Sequence, residues 1–279
     1  MWEIFGYDGR CGVWWYREGE KMRLYFRYFA IYLRGLMEYR ASFVMTLLSQ
    51  FVSSFTGVLA VYFMMERFHT VEGFTFPQVL LCFATVLMAF SLAECFFRGF
   101  DTFSSMLGNG QFDRMLVRPR GIVFQVVASR VDLSRLGRLL QAVVIFCYAL
   151  PASGVSWTPD KVLTLVLMVV CGMLVFSGLF IIYASICFFT IQGLEFINIF
   201  TDGGREFGQY PFVIYGKEVL RFFTYIVPLA LFQYYPFLYL IGRSRWRGYM
   251  LFPLLSLLFL IPCAVLWRVG LRHYRSTGS

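Results

Sequence analysis

Six ionisable side chains stand beside long uncharged runs of this sequence. Glu94 and Arg98 close one such run; Glu195, Asp202, Arg205 and Glu206 follow another. A charge held in hydrocarbon is costly, so groups at such depth pair with one another, face a cavity or line a pathway. Glu94 and Arg98 are four residues apart, the spacing that brings two side chains together on a helix. They suit an ion pair at the edge of a membrane, with a substrate contact as the other reading. For the 195–206 group, solvated loop charges and a polar transmembrane helix facing a cavity fit equally well.

Other chemistry is scarce. The cysteines Cys11, Cys82, Cys95, Cys147, Cys171, Cys187 and Cys263 form no CxxC pair, and all but Cys11 lie in or beside apolar runs, where a thiol packs as a small apolar group. The two histidines, His69 and His273, are far apart, which excludes a His-rich metal site within one chain. The sequence has no GxxxxGK[ST] phosphate loop, no HExxH and no GxSxG. ATP binding and hydrolase chemistry therefore have no foothold, and no cofactor or metal is expected in this chain.

The elements that position these groups follow from composition. Of 279 residues, 59% are hydrophobic and 15% charged, with 33 Phe. A soluble domain could not cover that much apolar surface; a bilayer removes the need. Six stretches are long and uncharged enough to cross, at about 20 residues per crossing: Ala41–Met65, Phe74–Ala93, Leu139–Pro159, Val162–Leu194, Phe222–Gly242 and Gly248–Trp267. The fourth is too long for one straight span. It either projects beyond the bilayer or breaks near Gly193. With both termini cytoplasmic, 20 of the 25 Lys and Arg fall inside, as the positive-inside rule requires. Arg243, Arg245 and Arg247 are the exception. The net charge of +9 flanks apolar runs, so anionic lipid, not nucleic acid, is its natural partner.

Two further elements face the cytoplasm. Arg23, Arg27, Arg34 and Glu38 share one face of a helix otherwise rich in Leu, Phe and Tyr, as an interfacial helix would. The loop 98–138 carries the turn Gly108-Asn109-Gly110. A short helix follows from Gln111, with Phe112, Met115 and Leu116 on one side, and stops at Arg118-Pro119. A charged surface helix between two spans can dock a soluble partner. Residues 1–21 hold seven charges and no apolar core of a signal peptide; they read as an N-terminal extension.

Three stretches resemble the ABC-2 type permeases, and among them a bacterial subfamily of ABC transporter membrane subunits. The first runs Phe112-Asp113-Arg114-Met115-Leu116-Val117-Arg118-Pro119. The second begins Tyr210-Pro211, continues through Tyr215 and Pro228, and ends Tyr235-Pro236. The third is the terminus, with Trp267, Gly270, Tyr274, Ser276, Thr277 and Gly278. The resemblance covers about residues 22–279, which make one permease domain. It implies an all-α integral membrane fold of six transmembrane helices, with an interfacial helix, a coupling helix and short re-entrant helices before the last span. In that version residues 190–213 form a polar fifth helix, and Pro228 and Pro236 break the Phe222–Gly242 stretch.

The resemblance also implies a role: the permease subunit of an ATP-driven exporter in the bacterial inner membrane. ATP and Mg would be bound by separate ABC ATPase subunits docked at Phe112, Asp113, Arg114, Leu116, Arg118 and Pro119. A second permease chain, identical or paralogous, would complete the pathway. The aromatic, Met-rich spans suit a hydrophobic or amphipathic substrate. A membrane scaffold without transport, and an intramembrane enzyme built on Glu94 and the 195–206 group, are the rival readings.

Overall fold

The computed structural model describes residues 29–35, 37–68, 72–190, 198–244 and 246–274. Residues 1–21, most of the interfacial-helix stretch, Glu195 and Ser276 to Gly278 lie outside them. Among the described residues the chain is helical, with no β-strand. Five helical segments are long and apolar enough to cross a membrane. They are α1 (Arg40–Phe68), α2 (Phe76–Asp101), α6 (Leu136–Ala152), α7 (Pro159–Thr190), and a last segment in which a 3₁₀ turn leads through α12 (Phe252–Ser256) into α13 (Leu260–His273). The shorter helices are α3 (Phe103–Gly108), α4 (Gln111–Leu116), α5 (Ile122–Ser129), α8 (Gly204–Gly208), α9 (Lys217–Tyr225), α10 (Leu229–Phe232) and α11 (Tyr234–Leu240).

Local chemistry sets several boundaries. The Gln78 side chain reaches back to accept from the Thr75 backbone N–H at 3.2 Å, and Pro77 sits in the first turn of α2, where its missing N–H costs nothing. Gly110 starts α4 at φ 63°, a left-handed conformation that a side chain resists. The 32 residues of α7 run unbroken through the described Thr190, about 48 Å at 1.5 Å per residue. Gly193, near which a break was the other expectation, lies outside the described residues.

The fifth stretch departs from the simple hydropathy reading. Phe222–Gly242 is not one straight span. The chain turns at Gly216 into α9, which lies back so that Phe222 stacks on Phe200 (6.3 Å) and Phe223 packs at a tilt against Phe212 (5.1 Å). It turns again at Ile226–Pro228 into α10, and once more at Gln233 into α11. Pro228 caps α10. Pro236, expected to be the second break, lies in the first turn of α11, so the break falls at Gln233 instead. Proline fits there because first-turn N–H groups have no helical partner.

The bundle has two ends. At one, the starts of α1 and α6 meet the ends of α2, α7 and α13, and α3 to α5 pack across them. At the other, Arg243 lies 3.9 Å above the Phe74 ring centroid and donates to the Glu72 carbonyl at 2.9 Å. Those two contacts give the guanidinium of the exceptional basic cluster a local partner. Burial is uneven: α2 is wrapped on all sides, whereas α1 leaves Val52, Phe55, Leu59 and Phe63 exposed.

Candidate functional site

The short helix α4 is anchored by one residue. Phe112 is fully buried, with its ring 5.1 Å from Phe103, 5.4 Å from Phe188 and 5.0 Å from Tyr274. Those partners come from α3, the end of α7 and the residue after α13. The next residue, Asp113, accepts a hydrogen bond from the Tyr274 hydroxyl at 2.8 Å. Burial, and then the Asp113 carboxylate, push the Tyr274 phenol up to about 12, so it stays protonated and able to donate. Beyond the anchor, Gln125 donates to the carbonyls of Met115 (3.1 Å) and Arg120 (3.0 Å), which ties down the turn that ends α4.

The other face of α4 is bare. Arg114, Leu116, Val117, Arg118, Pro119 and Arg120 are all exposed. Leu116 was expected beside Phe112 and Met115. It points outward instead, because the aromatic seat holds Phe112 and leaves no apolar wall for a residue four positions on. The result is a rigidly seated helix offering a mixed basic and apolar face to solvent.

The residues of the terminal motif build the seat. Trp267 is 2% exposed and meets Phe100 (5.2 Å), Phe103 (5.3 Å) and Phe188 (5.1 Å). Gly270 is where α13 crosses α7: a Cβ there would lie 2.6 Å from the Phe188 ring and 3.0 Å from the Ser185 carbonyl. Thus the first and third stretches of the family resemblance, about 150 residues apart in sequence, form one aromatic cluster.

Above it lies a buried charge network. Glu94, 3% exposed, is held by Arg138 (2.8 Å), Arg98 (3.2 Å) and Arg135 (3.4 Å). Arg98 also meets Asp101 at 2.6 Å, and Arg135 meets Asp132 at 3.4 Å. Burial works against the Asp132 charge, but the Ser134 hydroxyl and the Arg135 and Arg98 guanidinium groups outweigh it and hold the carboxyl below the ordinary range. Three acids and three arginines balance, which is how a bundle tolerates charge at this depth. The Glu94–Arg98 contact has the spacing anticipated for it. Arg135, Arg138, Asp101 and Asp132 are residues that sequence reasoning does not single out. Their one local signal is the spacing of Asp132, Arg135 and Arg138 at three-residue steps into an apolar run; the partner Glu94 is 44 residues from Arg138.

The 198–209 segment separates the remaining sequence candidates. Asp202 is exposed on the π-helical turn Ile199–Gly203, and the structure does not bring it into contact with Glu94. Arg205, on α8, pairs with Glu206 and lies over the Phe90 ring, 5.1 Å from its centroid. Between α8, α6 and α1 opens a cleft of about 400 Å³. Its walls are Ser53, Thr56 and Gly57 on one side and Arg138, Arg205 and Gln209 on the other, with Phe83 and Leu87 as its floor. The polar residues of α1 and Gln209 had no distinguishing pattern in sequence.

The middle stretch of the resemblance serves the broken helices. Tyr210 offers its carbonyl to Gln233 at 3.4 Å, and Gln233 also contacts Cys82. Tyr215 packs against Phe207 at 4.9 Å. Tyr235 meets Thr224, Tyr249 and Phe252. Pro211 is buried in the turn before the 3₁₀ segment Phe212–Tyr215. Of these contacts the Gln233 amide satisfies a backbone carbonyl, that of Tyr210, and the rings pack the broken helices against their neighbours. Among the described residues no group of His, Cys, Asp and Glu has the arrangement of a metal site, and the cysteines are free thiols, all buried except Cys147.

A family model described as ABC-2 family transporter protein matches residues 51–278. No curated protein and no solved structure matches the chain.

Proposed function

The chain belongs to the ABC-2 family of transporter proteins, and from that premise we propose that it is the permease subunit of an ATP-driven exporter in a bacterial inner membrane. Membrane proteins of this family work with ABC ATPase partners. The observation that carries the proposal is α4. It is fixed through Phe112 and Asp113 to the ends of two candidate spans, α7 and α13, while Arg114, Leu116, Val117 and Arg118 face outward. A push on that outer face is transmitted through close-packed, edge-to-face rings, not absorbed by a loose loop. The absence of a phosphate loop in the sequence agrees with a motor supplied by another subunit, which would bind the ATP and Mg.

In this reading both termini are cytoplasmic and α4 lies on the cytoplasmic end. The polar stretch 190–213 of the sequence serves as the fifth crossing, and α9 to α11 form the re-entrant pieces before the last span, giving six in all. A second permease chain covers the apolar face of α1. ATPase closure shifts α4, and with it α7 and α13, and so alternates access to a pathway between the chains. The cargo is amphipathic, since the spans are apolar but a polar cleft opens among them.

Deletion of Gly110–Pro119 tests the assignment. The variant should insert normally yet lose cargo-stimulated ATP turnover when reconstituted in vesicles with its ATPase. Stimulated turnover that survives the deletion would show that coupling lies elsewhere.

A further inference from the structure

We propose that the cleft between α1, α6 and α8 binds an anionic headgroup, a phosphate or carboxylate, of the cargo; this rests on the permease reading above. At about 400 Å³ the cleft is within the size range of small-molecule sites. Its unusual feature is unused hydrogen-bonding capacity. Gln209 is only 4% exposed, lines the cleft, and has no hydrogen bond to its side-chain amide among the described residues. The amide faces the cleft, so an acceptor placed there can take its N–H groups.

The charges around the amide set the sign of the ligand. Arg138 reaches Glu94 through Nη1 alone, and Arg205 reaches Glu206 through Nη2 alone. The Arg205 Nε is buried with no partner. The cleft's one acid, Glu206, has a side chain 57% exposed, against 16% for Arg205, so the positive groups lie deeper than the negative one. Ser53 adds a hydroxyl from the facing wall. Guanidinium, amide and hydroxyl donors converging on one space suit an oxyanion.

Thermal unfolding of the purified full chain in a neutral maltoside detergent tests this without any ATPase. Three probes are titrated: dihexanoyl phosphatidic acid, dihexanoylglycerol and inorganic phosphate. The phosphatidic acid should raise the unfolding midpoint saturably, and dihexanoylglycerol should need at least about tenfold more for the same shift. Half-saturation at the same concentration of inorganic phosphate assigns the site to a free anion, and half-saturation only at a higher one assigns it to a lipid headgroup; either supports an anion site. Gln209→Leu and Arg205→Gln should each weaken binding about tenfold or more, the range for a hydrogen bond to a charged group. If Arg205→Gln does not fold, Gln209→Leu alone decides. Equal response to dihexanoylglycerol, or unaltered affinity in Gln209→Leu, overturns the inference. Loss of the anion response with ATPase coupling intact refutes only this site; the reverse pattern refutes only the permease reading.

Discussion

Replacing Phe112 by Ala removes the ring that seats α4. Phe112 is fully buried and meets three aromatic rings at 5.0–5.4 Å. Truncating a buried Phe to Ala costs about 3–5 kcal/mol. At this site the cost falls on a local element, because a helix of six residues has no stability of its own and stays folded only while docked. A loss of about 3 kcal/mol shifts the docking equilibrium by roughly 100-fold, at 1.4 kcal/mol per factor of ten. Hydrogen exchange read by mass spectrometry on the detergent-solubilised chain reports this directly. Amides from Met115 to Arg118 should exchange about 100-fold faster than in the parent chain, while those of α2 and α7 keep their protection. Unchanged exchange at α4 would refute the claim that Phe112 holds it. Equal acceleration in α2 and α7 would show that Phe112 supports the whole bundle and that α4 is no separate unit.

Tyr274→Phe deletes only the hydroxyl bonded to Asp113 and keeps the ring; a donor to a charged acceptor is worth about 1.5–3 kcal/mol. Exchange at α4 should therefore rise, but less than in Phe112→Ala. Glu94→Gln leaves three arginines around a neutral amide and should destabilise the bundle by about 3–5 kcal/mol, seen as a fall in the thermal midpoint that Arg138→Met partly reverses. Gly137→Ala would place a Cβ 2.4 Å from the Leu47 carbonyl. Since backbone cannot move aside cheaply, it should cost about 1–3 kcal/mol and lower the same midpoint. Arg114→Glu with Arg118→Glu alters only exposed side chains; the midpoint should hold while stimulated ATP turnover falls.

How much of this was legible beforehand depends on the range of each interaction. Long uncharged runs announce candidate spans because crossing hydrocarbon demands about 20 apolar residues in succession, a strictly local requirement. The stretch Phe222–Gly242 was misleading on the same ground: it is apolar enough to cross, but Gly216, Pro228 and Gln233 turn the chain, and Gln233 meets Tyr210 and Cys82 from other parts of the fold. The Glu94–Arg98 spacing was visible for being one helical turn. Arg135 and Arg138 were not, since nothing near them in sequence names Glu94 as their partner.

By itself, then, the sequence determined that the chain is a membrane protein, roughly where its spans lie, and that it carries no phosphate loop, for these follow from residue type and local order. Tertiary structure decided what the short motifs are for. Only packing brings Phe112 against Phe188 and Tyr274, and only packing turns Ser53, Arg138, Arg205 and Gln209, which come from three separate helices and the turn after α8, into one polar cleft. The physical reason is that ring stacking and charge pairing act over a few ångströms in space and carry no trace of the distance along the chain that separates the partners.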